Sequence, residues 1–388
     1  MFEQQVEQIR DDYRNTGLAL VVVRDNKVVY SRAFGFRTLA SDSLSDGQPL
    51  CTSHLFRIAS ISKSFTTVAL LQQIEQGKTS LHADVSELLG FPVRNPAFPD
   101  SVITLEMLLS HTSSLNDSFC CVSDLDPAVN PDCSAAYNAY APACGYCYAD
   151  FNITLAGAIL ERLALCRFDD CIRTHVLSPL GINGGFNVDS LPADSLVTLY
   201  AVEIDKPAVS YTNCYRSVDL QDYRLGYDTH RFAPASGLKI SADGLTRYML
   251  FLMNYGITPD GSRLISSADA HDMYRQRFES YHHCGLTLLR TDDYSPGVSL
   301  YGHKGGAYGL RSAYYFNPEQ KYGFIVISSG SLPEPLSSTS AVIDTSSLYV
   351  ADGEGDISIR VPLLRLMYQT FIDRQDTKQQ KGGHMQPM

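Results

Sequence analysis

Short, continuous hydrophobic runs lie near both ends of the chain, and each has the length of a β-strand. One run covers residues 18–23 and, after a polar turn, is followed by a second extended run over 28–35. Towards the other end, runs over 310–316 and 322–328 are rich in aromatic or β-branched residues, and a shorter strand-like run over 285–289 is mostly leucine. A turn sequence, Asn-Pro-Glu-Gln, separates the last two and predicts a hairpin. The pattern therefore predicts strands at both ends of the chain.

Between these strands the apolar residues follow a helical period. Thr104 and Ser241 precede two such segments in the position of a helix-capping residue. Helices are predicted over residues 62–77, 103–112, 151–165 and 242–253 between the strands, and over 3–15 and 361–371 at the two ends of the chain. The middle of the chain is therefore mostly helical.

Together these elements predict the α+β fold class, with one antiparallel sheet built from both chain ends, flanking helices and an inserted, mostly helical lobe. We expect a single domain over residues 1–374. Its sheet lobe would comprise about 1–55 and 285–374, and its helical lobe about 56–284. The polar tail, 375–388, is predicted to be disordered.

Composition and charge exclude several classes of function. The chain has 388 residues, of which 44% are hydrophobic and 19% charged, as in a globular protein with a substantial core. The formal net charge of −11 argues against a nucleic-acid partner. No apolar run has the length of an integral membrane segment, and the polar, acidic start does not resemble a signal peptide.

The chain is rich in cysteine, and eight of its ten cysteines fall between residues 120 and 214. This loop-rich stretch includes a cysteine-rich insertion over 113–147. An even, dense cluster predicts at least two disulfides and hence an extracytoplasmic, periplasmic or secreted location. Buried unpaired thiols are the alternative. Cys144 and Cys147 have the spacing of metal ligands, but no second tight cysteine or histidine pair accompanies them. We therefore predict neither a metal nor a cofactor.

A serine and a lysine three residues apart form the first candidate for catalysis. Ser60 lies just before the amphipathic helix, and Lys63 follows on the same helical face. The partial positive charge of a helix N-terminus favours an alkoxide and disfavours a neighbouring ammonium. Lys63 can therefore lose its proton and accept one from Ser60. A second S-x-x-K copy, Ser236 to Lys239, competes with the first because this spacing alone is a weak signal.

Two further local patterns carry groups suited to acid–base chemistry and substrate binding. One is Tyr148-Ala149-Asp150, directly before the helix over 151–165. The other is His303-Lys304-Gly305-Gly306, before the strand over 310–316. Each has a rival elsewhere, at Tyr211 for the Y-x-N pattern and at His283 for the H-x-G pattern.

With these motifs the chain resembles the serine β-lactamase and penicillin-binding protein superfamily. The branch it resembles contains class C β-lactamases, D-alanyl-D-alanine carboxypeptidases and related esterases. The resemblance covers most of residues 15–330 and rests on six segments in the family's order. They are 56–66 with S-x-x-K, 103–115 with H-T-S-S-L, 148–157 with Y-A-D, 177–182 with P-L-G, 234–238 with P-A-S-G-L and 302–306 with G-H-K-G-G. The fifth segment identifies the second S-x-x-K copy as a loop.

The resemblance implies a role for each matching residue. Ser60 is the nucleophile, Lys63 is the base or shares that duty with Tyr148, and Tyr148 protonates the leaving group. His303, Lys304 and Gly305 are expected on a sheet edge that lines the substrate, where His303 orients Tyr148 or a substrate carboxylate. The oxyanion hole would use the N–H of Ser60 and that of a residue after Gly306, for which Ser312 is a weak candidate. His111 and Asn152 are expected to be structural.

The chain departs from the family pattern at four positions. Asp150 stands where the family has Asn, and Ala149 stands where it has Ser. His303 replaces the lysine of β-lactamases, and Lys304 replaces a common threonine. A carboxylate at Asp150 would keep Lys63 protonated and make Tyr148 the base, unless it points away and caps the helix.

These departures weaken the case for a β-lactamase. We predict a serine hydrolase that forms an acyl-Ser60 intermediate from a small-molecule or peptide acyl substrate. A D-amino-acid peptidase ranks ahead of an esterase, and a β-lactamase ranks third. The alternative is a catalytically weak or inactive relative that binds ligand as a sensor. Asp150 favours that alternative, whereas intact Ser60, Lys63 and Tyr148 oppose it.

Overall fold

The computed structural model describes residues 1–40, 46–211, 217–278, 284–294, 297–336 and 356–373. Its helices are α1 (Phe2–Asp12), α2 (Ser62–Glu75), α3 (Val85–Leu89), α4 (Leu105–Leu109), α5 (Asp150–Ala164), α6 (Phe168–Ile172), α7 (Ala242–Met253), α8 (Ser267–Tyr274) and α9 (Arg360–Tyr368). The Thr104 side chain accepts from the Met107 N–H at the start of α4, and Ser241 accepts from the Gly244 N–H at the start of α7. Both predicted caps are confirmed.

The principal sheet joins the two ends of the chain, as predicted. Its strands run in the order β3 (Gly47–Pro49), β2 (Lys27–Leu39), β1 (Gly17–Arg24), β12 (Tyr322–Ser329), β11 (Leu310–Asn317), β10 (Leu300–Ala307) and β9 (Leu289–Thr291). Each neighbouring pair is antiparallel. Five short strands form two smaller sheets. One has the strand order β4 (Phe56–Arg57), β8 (Lys239–Ile240) and β5 (Gly184–Gly185), and the other pairs β6 (Tyr200–Ala201) with β7 (Val209–Ser210).

Strand β1 is buried on both faces, which explains its continuous hydrophobic sequence. Alternate residues of a strand point to opposite faces. Leu18, Leu20 and Val22 join a core with α1 and α9, and Ala19, Val21 and Val23 join a second core with the helical lobe. Helices from both chain ends therefore cover one face of the sheet, and the inserted helices cover the other.

At the β9 edge of the principal sheet, two elements differ from the sequence-based prediction. The run over 285–289 was expected to be a strand, but only Leu289–Thr291 pairs as β9. Strand β10, which contains the H-K-G-G motif, was not predicted because glycine and polar residues interrupt its hydrophobic pattern. The predicted tail, 375–388, lies outside the described residues.

All nine cysteines within the described residues are free thiols, and Cys214 lies outside them. The expected disulfides therefore do not form among these nine. Neighbours in sequence, Cys120 and Cys121, have Sγ atoms 3.7 Å apart, far beyond the roughly 2.05 Å of a disulfide bond. The extracytoplasmic location depended on those disulfides and stays a prediction. Within the described ranges, no helix is long and apolar enough to cross a membrane.

Candidate active site

Ser60 lies on a single 3-10 turn, Ala59–Ile61, between β4 and α2. Ala59 has a φ of 49°, a left-handed conformation that costs an alanine about 1 kcal/mol or more. Two hydrogen bonds hold the turn: the Ser62 hydroxyl donates to the Ala59 carbonyl at 2.6 Å, and the Ser312 hydroxyl donates to the Ile58 carbonyl at 3.0 Å. The turn therefore presents Ser60 from a strained backbone that its surroundings fix.

Lys63 is fully buried beside a carboxylate. Its Nζ lies 2.7 Å from Asp150 Oδ1, donates to the Ala235 carbonyl at 3.1 Å and stands 4.7 Å from the centre of the Tyr148 ring. Burial alone would lower the pKa of Lys63, but Tyr148 and Asp150 outweigh it and raise that pKa above its usual value. The Asp150 carboxylate, 2.7 Å away, therefore favours the ammonium form of Lys63. Asp150 is the first residue of α5, directly after the N-cap residue Ala149.

Tyr148 links the nucleophile and the lysine. Ser60 and Lys63 both act on the pKa of its hydroxyl, and Lys63 Nζ stands 4.7 Å from the ring centre. Burial of this group raises the pKa of Tyr148, and the positive charge of Lys63 offsets that effect only in part. The resting site therefore holds a neutral phenol next to an ammonium and a carboxylate.

His111 and Asn152 lie next to the segment that carries Tyr148. His111 Nδ1 accepts the Ala149 N–H at 3.2 Å and lies 3.3 Å from Asn152 Nδ2, and its ring centre is 4.6 Å from that of Tyr148. Asn152 Oδ1 accepts the Ser113 hydroxyl at 2.6 Å. Burial, reinforced by Lys63, lowers the pKa of His111 well below its usual value, so the ring is neutral. Both residues are placed to fix the turn that carries Tyr148.

His303 is buried on β10 and uncharged. Burial, and then the Lys63 ammonium, lower the pKa of His303 to about 3. Its Nδ1 lies 2.5 Å from the Lys304 carbonyl oxygen, which can only accept, so Nδ1 carries the proton and Nε2 carries a lone pair. A neutral His303 whose Nδ1–H is bonded to the Lys304 carbonyl offers neither a positive charge nor an N–H to a substrate carboxylate. In this tautomer Nε2 can only accept a hydrogen bond, which fits the expected role of orienting Tyr148 better than that of orienting a substrate carboxylate, and both roles stay predictions.

The backbone of β10 beside Ser60 is arranged by its pairing with β11. Gly305 stands opposite Ser312, and Arg360 Nη1 lies 2.9 Å from the Gly305 carbonyl oxygen and 3.3 Å from that of Ser312. Both carbonyls therefore lie between the strands, as in a hydrogen-bonded pair of an antiparallel ladder. The next residue, Gly306, then directs its N–H away from β11, towards the open edge of β10.

Ser312 has a different place from the one expected. It is fully buried, and its hydroxyl is used by the Ile58 carbonyl. Ser312 therefore ties β11 to the segment leading into Ser60 and does not line the substrate cavity.

Replacing Gly305 with alanine is expected to disrupt the site. A Cβ at Gly305 would lie 2.4 Å from the Ile58 carbonyl oxygen and 2.5 Å from Ser312 Oγ, so β10 or the Ser60 turn must shift. Misplacement of this size lowers kcat/KM by about 100-fold. Gly306→Ala is the matched control, because its Cβ would meet Arg311 at an ordinary 3.5 Å. Equal rates and equal Tm values for the two variants would contradict the argument.

A cavity of about 610 Å³ opens in front of Ser60. Lys304, Arg311, Arg360 and Asp356 form one wall, which we call the cationic wall. Lys304 Nζ lies 3.9 Å from Asp356 Oδ2, and Arg360 pairs with the same carboxylate. The cavity is lined by Ser60, Tyr146, Tyr148, Leu289, His303, Lys304, Gly305, Gly306, Arg311, Asp356 and Arg360.

Sequence reasoning missed most of the cationic wall. Arg311 follows the H-K-G-G motif but belongs to no motif itself, and Asp356 and Arg360 lie about fifty residues further along. The only local signal was their i, i+4 spacing at the start of the C-terminal helix. Burial and the neighbouring Arg360 lower the pKa of Arg311, because like charges stand close together.

The second S-x-x-K copy has no catalytic arrangement. Lys239 lies in β8, an extended strand, and its Nζ donates to the Phe186 carbonyl at 2.5 Å. Ser236 Oγ accepts from Arg57 Nη2 at 3.1 Å. The loop that contains Ser236 contributes to the site only through the neighbouring Ala235 carbonyl, which accepts a hydrogen bond from Lys63. Of the rival motifs, Tyr211 packs on Tyr308, and His283 lies outside the described residues.

Comparison with known proteins identifies the family. The family model described as Beta-lactamase matches residues 2–344. Penicillin-binding protein 4 of Amycolatopsis lactamdurans is 25% identical over 71% of this chain and 69% of its own length. Lovastatin esterase of Penicillium rubens is 30% identical over 40% of this chain and 44% of its own length.

A solved structure shares the fold. The β-lactamase/D-alanine carboxypeptidase from Pseudomonas syringae superposes with a TM-score of 0.67 and 17% identity, covering 95% of this chain and 98% of that one. Because the family model spans most of the chain, the family is established. The chain belongs to the Beta-lactamase family and is a serine hydrolase of the β-lactamase and penicillin-binding protein superfamily.

Proposed function

We propose that this hydrolase forms an acyl-Ser60 intermediate and prefers substrates with a carboxylate next to the scissile acyl bond, such as peptides ending in D-amino acids. The observation that carries the proposal is the cationic wall. It brings three cations, Lys304, Arg311 and Arg360, and one carboxylate, Asp356, to the cavity that contains Ser60. This local excess of positive charge contrasts with the net charge of −11 for the whole chain. An anionic substrate group would relieve the repulsion between Arg311 and Arg360.

The reaction starts at Ser60. The Ser60 oxygen attacks the acyl carbonyl while its proton passes to the Tyr148 phenolate, the minor form that the Lys63 ammonium stabilises. The N–H groups of Ser60 and Gly306 hold the oxyanion of the tetrahedral intermediate. When the bond to the leaving group breaks, Tyr148 returns the proton to the leaving amine or alkoxide. Water then releases the acid from acyl-Ser60, again with Tyr148 as base.

A pair of matched substrates tests the proposal. One is a peptide ending in D-Ala-D-Ala with a free carboxylate, and the other is the same peptide as its terminal amide. We expect a higher kcat/KM for the free acid, together with an acylated protein in intact mass spectra. Equal rates for both peptides, with faster turnover of a neutral p-nitrophenyl ester, would favour the esterase. Absence of acylation by either peptide, a penicillin or the ester would favour the ligand-binding relative.

Arg311→Ala is expected to remove the preference for the free acid. A charge-assisted hydrogen bond contributes roughly 1.5–3 kcal/mol, so kcat/KM for the free acid should fall about 10- to 100-fold, mainly through KM. The rate for the amide should change little. Arg173→Ala, at an exposed arginine paired with Asp170, is the matched control and should leave both rates unchanged. A parallel loss on both substrates would show that Arg311 supports the strand rather than the carboxylate.

A further inference from the structure

A group of potential metal ligands lies in the cysteine-rich insertion, apart from the residues that line the Ser60 cavity. Cys120 Sγ, Cys121 Sγ and a carboxylate oxygen of Asp124 all lie within 4.8 Å of one another. Within the described ranges, this is the one group of three or more His, Cys, Asp or Glu side chains that meets this distance. The set joins two soft thiol ligands with one hard oxygen ligand.

We propose that Cys120, Cys121 and Asp124 bind a divalent ion of the zinc class, for which Cd²⁺ can substitute. Zinc prefers tetrahedral coordination with Zn–S distances of about 2.3 Å, which places two sulfur ligands roughly 3.8 Å apart. The two Sγ atoms already stand 3.7 Å apart. Three protein ligands leave the fourth tetrahedral position to water.

The backbone around the three ligands is fixed by hydrogen bonds. Asp124 Oδ2 accepts the Cys121 N–H at 3.0 Å, across the single 3-10 turn Val122–Leu125. Asn130 Nδ2 donates to the Asp124 carbonyl at 2.9 Å. A carboxylate oxygen of Asp124 lies within 4.8 Å of both Sγ atoms, so this side chain can reach an ion that binds between them. The site therefore needs little rearrangement to bind one.

Charge at this position also favours a cation. The carboxylates of Asp124 and Asp228 both lie close enough to act on the Cys121 thiol. Because a thiol binds zinc as the thiolate, metal binding releases protons, and the apparent affinity should fall as the pH is lowered.

For a metal site, the sequence favoured a different pair of cysteines. Cys144 and Cys147 have the C-x-x-C spacing of zinc ligands, yet they belong to no such group among the described residues. They therefore provide an internal control for the site at Cys120.

The test uses the full chain, reduced with a phosphine and titrated with Cd²⁺ or Zn²⁺ alone. We expect one ion per chain by calorimetry. With one equivalent bound, alkylation of Cys120 and Cys121 should slow by about tenfold or more, whereas Cys144 and Cys147 should react as before. Mapping the alkylated peptides by mass spectrometry needs no variant, so a folding defect cannot obscure the result.

Variants then assign the ligands. Cys120→Ser and Asp124→Asn should each lower the affinity roughly tenfold or more, and Cys144→Ser/Cys147→Ser should leave it unchanged. The proposal is overturned if the reduced chain binds no ion, if protection falls on Cys144 and Cys147 instead, or if Cys120→Ser binds as tightly as the parent chain.

Discussion

Replacing Ser60 with alanine is expected to abolish covalent labelling by a fluorophosphonate or a penicillin. Hydrolysis should fall by roughly 10⁴-fold or more, because the variant lacks the oxygen that forms the acyl intermediate. The side chain is only partly buried and lies on a turn held by Ser62 and Ser312, so the fold should persist. Peptide mapping of the adduct, together with initial rates on an activated ester, measures both effects.

Ser236→Ala is the matched control, because Ser236 begins the other S-x-x-K copy. Its hydroxyl only accepts a hydrogen bond from Arg57, and Lys239 is committed to the Phe186 carbonyl. Labelling should therefore be retained in this variant. An adduct on the peptide that contains Ser236, or full labelling of Ser60→Ala, would show that the nucleophile has been misassigned.

The sheet could be predicted from sequence because its central strands are buried on both faces. Leu18 to Val23 forms a continuous apolar run for that reason, and Phe324 to Ile327 does the same in β12 beside it. Strand β10 could not be predicted in this way, because glycines interrupt its hydrophobic pattern, and Gly305 is required by its close contact with the Ile58 carbonyl and Ser312 Oγ and not by a core. Its sequence therefore carries a functional pattern in place of a hydrophobic one.

The catalytic residues were found through local motifs, whereas the cationic wall was not. Ser60 and Lys63 lie three residues apart, so their proximity follows from helical geometry. Asp356 and Arg360 reach the cavity only because α9 packs on the sheet. The state of His303 also required the structure, since a buried imidazole beside Lys63 is neutral and an exposed one is often charged.

Asp150→Asn is expected to move the alkaline limb of the pH–rate profile for acylation to lower pH. The Asp150 carboxylate lies 2.7 Å from Lys63 Nζ and helps to raise the pKa of both Lys63 and Tyr148. Whichever of the two accepts the Ser60 proton must first be deprotonated, so the rate rises with pH until its pKa is passed. Removing the carboxylate lowers both pKa values, and more of the base is available near neutrality.

The size of the shift follows from the strength of the interaction. Two unit charges about 4 Å apart attract by roughly 4 kcal/mol at an effective dielectric of about 20, equal to about three pKa units. The Asp150 side chain is 49% exposed, so solvent screens much of this attraction. We therefore expect a shift of about one pH unit and a severalfold increase in the acylation rate near neutral pH.

The control for this variant removes a carboxylate from the same helix start without touching Lys63. Asp117 Oδ1 accepts the Phe151 N–H at 2.9 Å and so supports the first turn of α5. Asp117→Asn should leave the alkaline limb in place, whatever it does to Tm. If Asp150→Asn also leaves the alkaline limb unchanged and only lowers Tm, then Asp150 stabilises the start of α5 and does not set the pKa of the base. If it moves the limb as expected, the aspartate that distinguishes this chain from its family sets the pH at which Ser60 is activated.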